Sequence, residues 1–214
     1  MRTKTLLLMA AVVAAGITSV SAQVFSVNVV GYVTTTLQGN ARYTLISNPL
    51  EAGTNSTIAT LFADLPSGST VFKWSGSQFT SYAKGVLGFL GAAQTDKLVP
   101  GEGAFVLTPA GSTNIPITFV GEVQQGLLTN AMPVGFSIIS SRVPVAGTMT
   151  QLGYTNAVAG DTVFKWDATA QNYVSSTYNV ILGGLNPDPT LGVGEAVFIS
   201  KTTAGNWVRN FVVP

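Results

Sequence analysis

An exact internal repeat constrains the fold of this chain more than any other feature. The five residues Thr-Val-Phe-Lys-Trp occur at positions 70–74 and again at positions 162–166. The flanking segments repeat in the same order, since residues 43–47 match residues 136–140 and residues 101–106 match residues 194–199. A repeat of this spacing indicates two homologous modules, with insertions confined to loops.

Both copies of the pentapeptide are predicted to be β-strands, since Val, Phe, Trp and Thr suit a pleated surface. Side chains alternate across a strand, so Phe72 and Trp74 share one face while Val71 and Lys73 share the other. Aromatic residues of a sandwich mostly line its inner face, so we expect Phe72 and Trp74 to fill the core of their module. Lys73 is then expected to face solvent and to discourage edge pairing. The second copy is interpreted in the same way.

The rest of the chain predicts a mainly β fold. Short strands between turns indicate two tandem antiparallel β-sandwich or barrel-like modules, with at most one or two short helices. We place the modules at residues 23–118 and 119–214. Residues 57–63 are predicted to form a helix capped by Asn55 or Ser56, whereas the matching stretch 149–158 is a doubtful helix because it contains Gly153 and Thr155.

A third motif lies at the joints between the modules. Residues 119–123 resemble residues 29–33, and residues 206–212 occupy the same place after the second repeat. We expect the middle copy to close the first module and open the second, so that the modules meet along a continuous strand or a tight corner. The sequence between them contains no flexible or Pro-rich linker, which agrees with this interpretation.

Residues 1–22 have the layout of a secretory signal peptide. A basic head with Arg2 and Lys4 precedes an apolar run from Leu6 to Ile17, and small residues lead to Ala22. The apolar run is shorter than the roughly 20 residues that a membrane-spanning helix needs. We therefore expect cleavage after Ala22 and a mature protein in the periplasm, at the cell surface or outside the cell.

The composition argues against several classes of function. The full chain has 10 Lys and Arg against 9 Asp and Glu, so it lacks the excess of basic residues that binds nucleic acid. No second apolar run is long enough to predict residence in a membrane. His and Cys are both missing, so neither a His-activated nucleophile nor a zinc site is expected. We expect no metal and no cofactor.

Carboxylates are the remaining catalytic candidates. Glu102 with Asp96, or Glu195 with Asp188, could form the acid pair of a carboxylate-dependent hydrolase. Glu102 and Glu195 are also explained as turn residues that lead into a strand. Because the other parts of a catalytic site are missing, we expect a protein that is not an enzyme.

Aromatic side chains are the candidates for a ligand or partner surface. Tyr82, Tyr173, Tyr178 and Trp207 are the residues we select for it. Residues 85–100 and 183–194 form the least regular loops of each half, and loops of this kind often carry binding residues. Aromatic rings in or beside these loops could stack on sugar rings.

The run Asn-Val-Val-Gly-Tyr-Val at residues 28–33, followed twice by a Val-Phe-Lys-Trp strand and a Gly-Glu turn, also carries a family resemblance. The chain resembles a family of secreted, duplicated, β-rich proteins of unknown function from environmental Gram-negative bacteria. It is more loosely similar to surface modules with GWNLIS and GxGYW motifs, through residues 43–48 and 101–106. The resemblance covers essentially the whole mature chain and implies no catalytic residues.

Three functional hypotheses follow. The first is a structural or interaction protein of the cell envelope or extracellular matrix, whose partners are itself or other envelope proteins. It could assemble by edge-strand addition, with residues 24–36 of one molecule pairing near Phe211 of another. The second is a carbohydrate-binding module with a polysaccharide partner, and the remote third is the carboxylate-dependent hydrolase.

Overall fold

The computed structural model of the protein describes residues 29–213. This range is mainly β and antiparallel, as the turn spacing predicts. The predicted signal peptide and the first residues of the mature chain lie outside it. Within residues 29–213, no helix is both long enough and apolar enough to cross a membrane.

The strands of the described range are β1 (Val30–Leu37), β2 (Tyr43–Ser47), β3 (Thr70–Trp74), β4 (Phe79–Gly85), β5 (Gly88–Phe89), β6 (Gly103–Leu107), β7 (Ile115–Glu122), β8 (Gly126–Met132), β9 (Gly135–Ser140), β10 (Gly147–Thr148), β11 (Thr162–Asp167), β12 (Asn172–Asn179), β13 (Gly184–Asn186), β14 (Thr190–Leu191), β15 (Ala196–Lys201) and β16 (Gly205–Phe211). The helical segments are one short α-helix, α1 (Ile58–Leu61), and the 3₁₀ helices Gly53–Ser56 and Gly91–Gln94.

The two repeats build two sheets with the same strand order. The first sheet runs β2-β6-β3-β4-β5 and the second runs β9-β15-β11-β12-β13. The repeated pentapeptide strands, β3 and β11, are therefore the central strand of each sheet. Smaller two-stranded sheets, β1 with β7 and β8 with β16, complete the respective repeats.

Each sheet covers an apolar core of its own repeat. In the first repeat the core is centred on Val71, together with Phe62 of the segment after α1 and Phe119 of β7. In the second repeat Val163 lies among Met149, Leu152, Ile199 and Trp207. Because Val71 and Val163 are fully buried, each contributes roughly 1.5–3 kcal/mol of hydrophobic stabilisation.

The predicted assignment of the two faces of the pentapeptide strand is wrong. The side chains alternate between the two faces as predicted, but the face of Val71 is the one that covers the module core. Lys73 lies on the same face as Val71, and its ammonium group forms an ion pair with Glu102. The Phe72 and Trp74 face instead packs, half-buried, against a cluster that contains residues of both repeats. Lys73 does not protect an edge either, because β3 has strands on both sides.

The predicted helix is present in shortened form. It starts at Ile58, and Thr57 is its N-cap, with the Oγ1 of Thr57 accepting the Thr60 N–H at 3.2 Å. It ends at Leu61 because the Phe62 backbone, at φ −112° and ψ 22°, has left the helical region. The matching segment of the second repeat forms turns without a helix, and Gly153 takes the left-handed φ of 90°.

The joint between the repeats is a tight connection of two separate strands. β7 pairs with β1 through Glu122, and β8 then pairs with β16, so the strand partner changes within residues 123–125. The boundary predicted between residues 118 and 119 falls inside β7. The middle joint motif therefore closes the first repeat, while a different strand opens the second.

One buried charge pair distinguishes the second repeat from the first. Asp161 and Lys201, both fully enclosed, form an ion pair. The positions that match them in the first repeat hold Ser69 and Thr108, which are also buried. Burial opposes ionisation of Asp161, but hydrogen bonds from Lys201, Thr202 and Val158 hold the pKa of Asp161 below its ordinary value.

Candidate functional site: two aromatic grooves between the repeats

The repeats are joined by a reciprocal pair of backbone hydrogen bonds. The Ser47 N–H donates to the Gly194 carbonyl at 2.8 Å, and the Ser140 N–H donates to the Gly101 carbonyl at 3.0 Å. Ser47 matches Ser140 and Gly101 matches Gly194 in the internal alignment. Each repeated Gly-Glu turn therefore binds the first sheet strand of the other repeat, and the two contacts are related by an approximate two-fold axis.

The two repeated tryptophans make a second reciprocal pair. The Trp74 indole N–H donates to the Phe136 carbonyl at 2.9 Å, and the Trp166 indole N–H donates to the Tyr43 carbonyl at 3.0 Å. Both bonds cross from one repeat to the other. The aromatic face of β3 and β11 therefore joins the two repeats and does not fill the module cores.

The centre of the contact between the repeats is very close. A Cβ added at Gly103 would lie 2.6 Å from Ile138 Cγ2 and would also overlap the side chain of Ala196. Gly103 corresponds to Ala196 in the second repeat. Because the two repeats come so close here, only one of these two positions can carry a methyl group.

The Gly-Glu turns are anchored to the central strands by charge. Glu102 Oε2 lies 2.8 Å from Lys73 Nζ, and Glu195 Oε2 lies 3.0 Å from Lys165 Nζ. The same oxygen of Glu102 accepts the Val99 N–H at 3.1 Å, and Glu195 Oε2 likewise accepts the N–H of the residue three positions earlier at 2.7 Å. Lys and Glu recur in both repeats with identical turn-anchoring contacts.

The packing of the repeats leaves an aromatic surface at their contact. It consists of ten rings, five from each repeat, which we call the aromatic cluster: Tyr43, Phe72, Trp74, Phe79 and Phe105 of the first repeat, and Phe136, Phe164, Trp166, Tyr173 and Phe198 of the second. The tryptophan pairs have equal spacings in the two repeats. The rings of Trp74 and Phe79, and those of Trp166 and Tyr173, both lie 4.9 Å apart.

Two open grooves run across the aromatic cluster. Groove A, of about 320 Å³, is lined by Tyr43, Phe72, Phe79, Phe105, Trp166 and Tyr173. Groove B, of about 480 Å³, is lined by Trp74, Phe79, Phe136, Phe164, Tyr173 and Phe198. Both repeats contribute to each groove.

Phe79 and Tyr173 are shared by the two grooves. Phe79 is 42% exposed and Tyr173 is 43% exposed, although rings of this size are usually covered. Desolvation by the surrounding rings raises the pKa of Tyr173 above its ordinary value. No charged side chain lines either groove within the described part of the chain. The grooves therefore offer apolar ring faces and edges, with few hydrogen-bonding groups.

The four residues selected from the sequence are not brought together. Tyr173 lies in both grooves, and Tyr178 is half-buried on the same strand, nearer the far end of β12. The prediction that Tyr82 and Trp207 form a binding surface is wrong, because both side chains are buried. The Tyr82 hydroxyl donates to Asp96 at 2.7 Å, and burial together with that carboxylate raises the pKa of Tyr82. The Trp207 indole N–H donates to the Leu152 carbonyl at 2.8 Å.

Five rings of the aromatic cluster are not among the candidates selected from the sequence: Tyr43, Phe79, Phe105, Phe136 and Phe198. A signal for them exists in the alignment of the repeats, because an aromatic residue occupies each of these positions in both copies. Module cores in this chain are aliphatic at the matching central positions, Val71 and Val163. A duplicated aromatic set beside an aliphatic core indicates a face that packs outside the module.

A polar cleft lies beside groove A. Its volume is about 570 Å³, and Trp166 forms part of both its wall and that of the groove. Its hydroxyl and charged lining comes from both repeats: Thr35, Thr36, Thr44, Lys165, Asp167, Thr169, Ser176, Thr190 and Glu195. Hydrogen bonds from the backbone N–H groups of Ala170 and Thr169 lower the pKa of Asp167.

The loops predicted to carry binding aromatics do not expose any. Phe89 is the single aromatic residue of residues 85–100 and is buried, and residues 183–194 contain no aromatic residue. Among the described residues, no group of three or more acidic side chains could hold a metal ion.

Comparisons of the chain with protein-family models, curated proteins and solved structures find no match. The family resemblance of the sequence stays a prediction.

Proposed function

We propose that this protein is a non-catalytic interaction protein that binds apolar side chains of a protein partner in grooves A and B. The observation that carries the proposal is the exposure of Phe79 and Tyr173 at the centre of ten clustered rings. Exposed apolar patches of this kind mark interaction sites on soluble proteins. Groove volumes of about 320 and 480 Å³ fall within the range of ligand pockets.

The chemistry of the lining favours an apolar ligand over a sugar. Saccharide sites combine ring stacking with several convergent polar groups. Here the indole N–H groups of Trp74 and Trp166 are already bonded to backbone carbonyls. Tyr43 and Tyr173 are the other rings of the cluster that carry a polar group, and the remaining six are Phe. A lining of this kind suits aromatic and other apolar side chains of a protein partner.

Catalysis has little support from the candidate carboxylates. Glu102 and Glu195 each face a lysine and a turn N–H, and the two sites are equivalent in the two repeats. This arrangement accounts for both residues as turn anchors. The hydrolase therefore ranks behind the binding functions.

Anilinonaphthalene sulfonate (ANS), a dye that fluoresces on exposed apolar surface, tests the proposal. We expect the folded mature protein to bind ANS, and the double variant Phe79→Ser/Tyr173→Ser, which alters both grooves, to bind at least about tenfold more weakly. Leu127→Ser is the matched control, since Leu127 is 73% exposed on β8, away from the grooves. Unchanged ANS affinity in a folded double variant would refute groove binding.

A saccharide partner is the second candidate, and the polar cleft is the observation that favours it. Hydroxyl groups of Thr36 and Thr190 line the cleft together with the Trp166 ring, a combination that suits polyhydroxylated ligands. A glycan array on the mature protein tests this candidate. A hit that Thr36→Val/Thr190→Val abolishes supports it, and an array without any hit argues against it.

Export is part of the same proposal and is supported by the layout of residues 1–22. We place the mature protein in the periplasm, on the cell surface or outside the cell. Mass spectrometry of the exported protein is expected to find Gln23 as its first residue. Recovery of the chain from the cytoplasm alone, with Met1 intact, would contradict export.

A further inference from the structure

Each repeat carries an exposed aliphatic turn that lies outside its apolar core. The turn between β4 and β5 carries Val86 and Leu87, and Leu87 is 83% exposed. The turn between β12 and β13 carries Val180, Ile181 and Leu182, and Ile181 is 90% exposed. We call these two turns the aliphatic tips. Large aliphatic side chains at such exposure cost solubility, yet both repeats keep them.

The second tip is held in one conformation. The Asn179 side-chain oxygen accepts the N–H groups of Ile181 and Leu182 at 2.9 and 3.1 Å. In the first tip, Gly88 adopts the left-handed φ of 93° that closes the turn. A preformed apolar projection loses little entropy when it enters a binding site.

The tips and grooves are complementary in number and chemistry. Each chain carries two aliphatic tips and two aromatic grooves, and no charged side chain lines a groove or occupies a tip within the described residues. Without Arg2 and Lys4 of the predicted signal peptide, 8 Lys and Arg (10 − 2) stand against 9 Asp and Glu, so copies of the mature chain repel each other little. A second copy of the chain is therefore a partner that the surface fits without further components.

A tip cannot reach the groove at the base of its own strand. Phe79 and Val86 are seven positions apart along β4 and its turn, and Tyr173 and Val180 are seven positions apart along β12. At about 3.3 Å per residue this spacing is about 23 Å. Contact between tip and groove then has to be made between molecules, and it joins two different surfaces.

We propose that the occupant of grooves A and B is the aliphatic tip of another copy of this chain, so that the protein assembles head to tail. This inference rests on the proposed function of the grooves and names their partner. A contact between unlike surfaces gives rings when the rotation closes and open filaments when it does not. Edge-strand addition stays a separate prediction, since β1 and β16 each belong to a two-stranded sheet and have one strand partner, β7 and β8 respectively.

Sedimentation velocity of the mature protein over a range of concentrations tests the inference. We expect the sedimentation coefficient to rise with concentration for the wild type and for the control Leu127→Ser. Leu87→Ser/Ile181→Ser replaces one large aliphatic side chain of each tip, and Phe79→Ser/Tyr173→Ser replaces the two rings that the grooves share. Both variants are expected to stay monomeric. A mixture of these two variants is expected to form heterodimers, because one supplies grooves and the other supplies tips.

The tip variant also separates this inference from the proposed function. Its substitutions lie on exposed turns and leave both grooves intact, so it should fold and bind ANS as the wild type does at concentrations at which the wild type is monomeric. A wild type that stays monomeric at all concentrations, or a tip variant that assembles like the wild type, would overturn self-assembly. If ANS still binds the grooves in either case, the proposed function stands while the inference fails. Loss of groove binding itself would remove both.

Discussion

Trp74 and Phe136, which belong to different repeats, are joined by a hydrogen bond of 2.9 Å from the indole N–H to the backbone carbonyl. Its counterpart joins Trp166 to Tyr43 at 3.0 Å. The repeated pentapeptide thus fixes how the two sheets meet, and the aromatic cluster is a consequence of that contact. Neither repeat alone would form a whole groove, since four of the six rings of each groove come from one repeat and two from the other.

Removing the indole donor of Trp74 should weaken the contact between the repeats. We expect Trp74→Phe to lower the free energy of unfolding by about 1 kcal/mol, the net value of a typical hydrogen bond. Trp166→Phe should cost less, because the Tyr43 carbonyl also accepts the Gln171 side-chain N–H at 2.9 Å. Urea denaturation measures both values, and a larger loss for Trp166→Phe would contradict the account.

Adding a methyl group at the centre of the contact should separate the repeats. We expect Gly103→Ala to cost about 1–3 kcal/mol, because the new Cβ overlaps Ile138 and Ala196 and overpacking of a tight interior is destabilising. The swap Gly103→Ala/Ala196→Gly should recover part of that loss. Thermal unfolding followed by circular dichroism compares the three proteins, and a stable Gly103→Ala would show that the repeats do not meet as described.

The buried ion pair of the second repeat should make stability depend on pH. Asp161 has a lowered folded pKa, so its contribution is complete above the unfolded value of about 3.9 and is lost as the pH falls through the folded value. Asp161→Asn removes this dependence. It should also cost about 3–5 kcal/mol at neutral pH, because Lys201 is left buried and unpaired.

A double variant provides the control for this pair. Asp161→Ser/Lys201→Thr introduces the residues that the first repeat has at the matching positions, Ser69 and Thr108. We expect it to be more stable than Asp161→Asn, since no lone charge stays buried. Denaturation at several pH values tests both variants. A double variant less stable than Asp161→Asn would contradict the assignment.

Much of the fold follows from the sequence, because strand patterns and turn residues are local signals. The antiparallel sheets and the position of α1 follow from such signals. The face assignment of β3 failed because both sides of the sheet are covered, one by Val71 and its module core and the other by the second repeat. Hydrophobicity alone does not tell these two kinds of burial apart.

The grooves were only partly predictable for a related reason. Tyr173 was selected, but Tyr82 and Trp207 are buried within their repeats. The grooves around Phe79 and Tyr173 form where the two repeats meet, and a contact between distant segments has no local signature in the chain. The aromatic positions shared by both repeats are the one feature of the sequence that points to it.

The tryptophans provide the most direct test of groove binding. The chain has three of them; Trp74 and Trp166 line the grooves, whereas Trp207 is buried in the second repeat with 3% exposure. The measurement is a titration of the ¹⁵N-labelled mature protein with ANS, observed through the indole N–H signals in NMR. We predict that the Trp74 and Trp166 signals shift while the Trp207 signal stays in place. Unmoved Trp74 and Trp166 signals, or a shift confined to Trp207, would contradict the central claim.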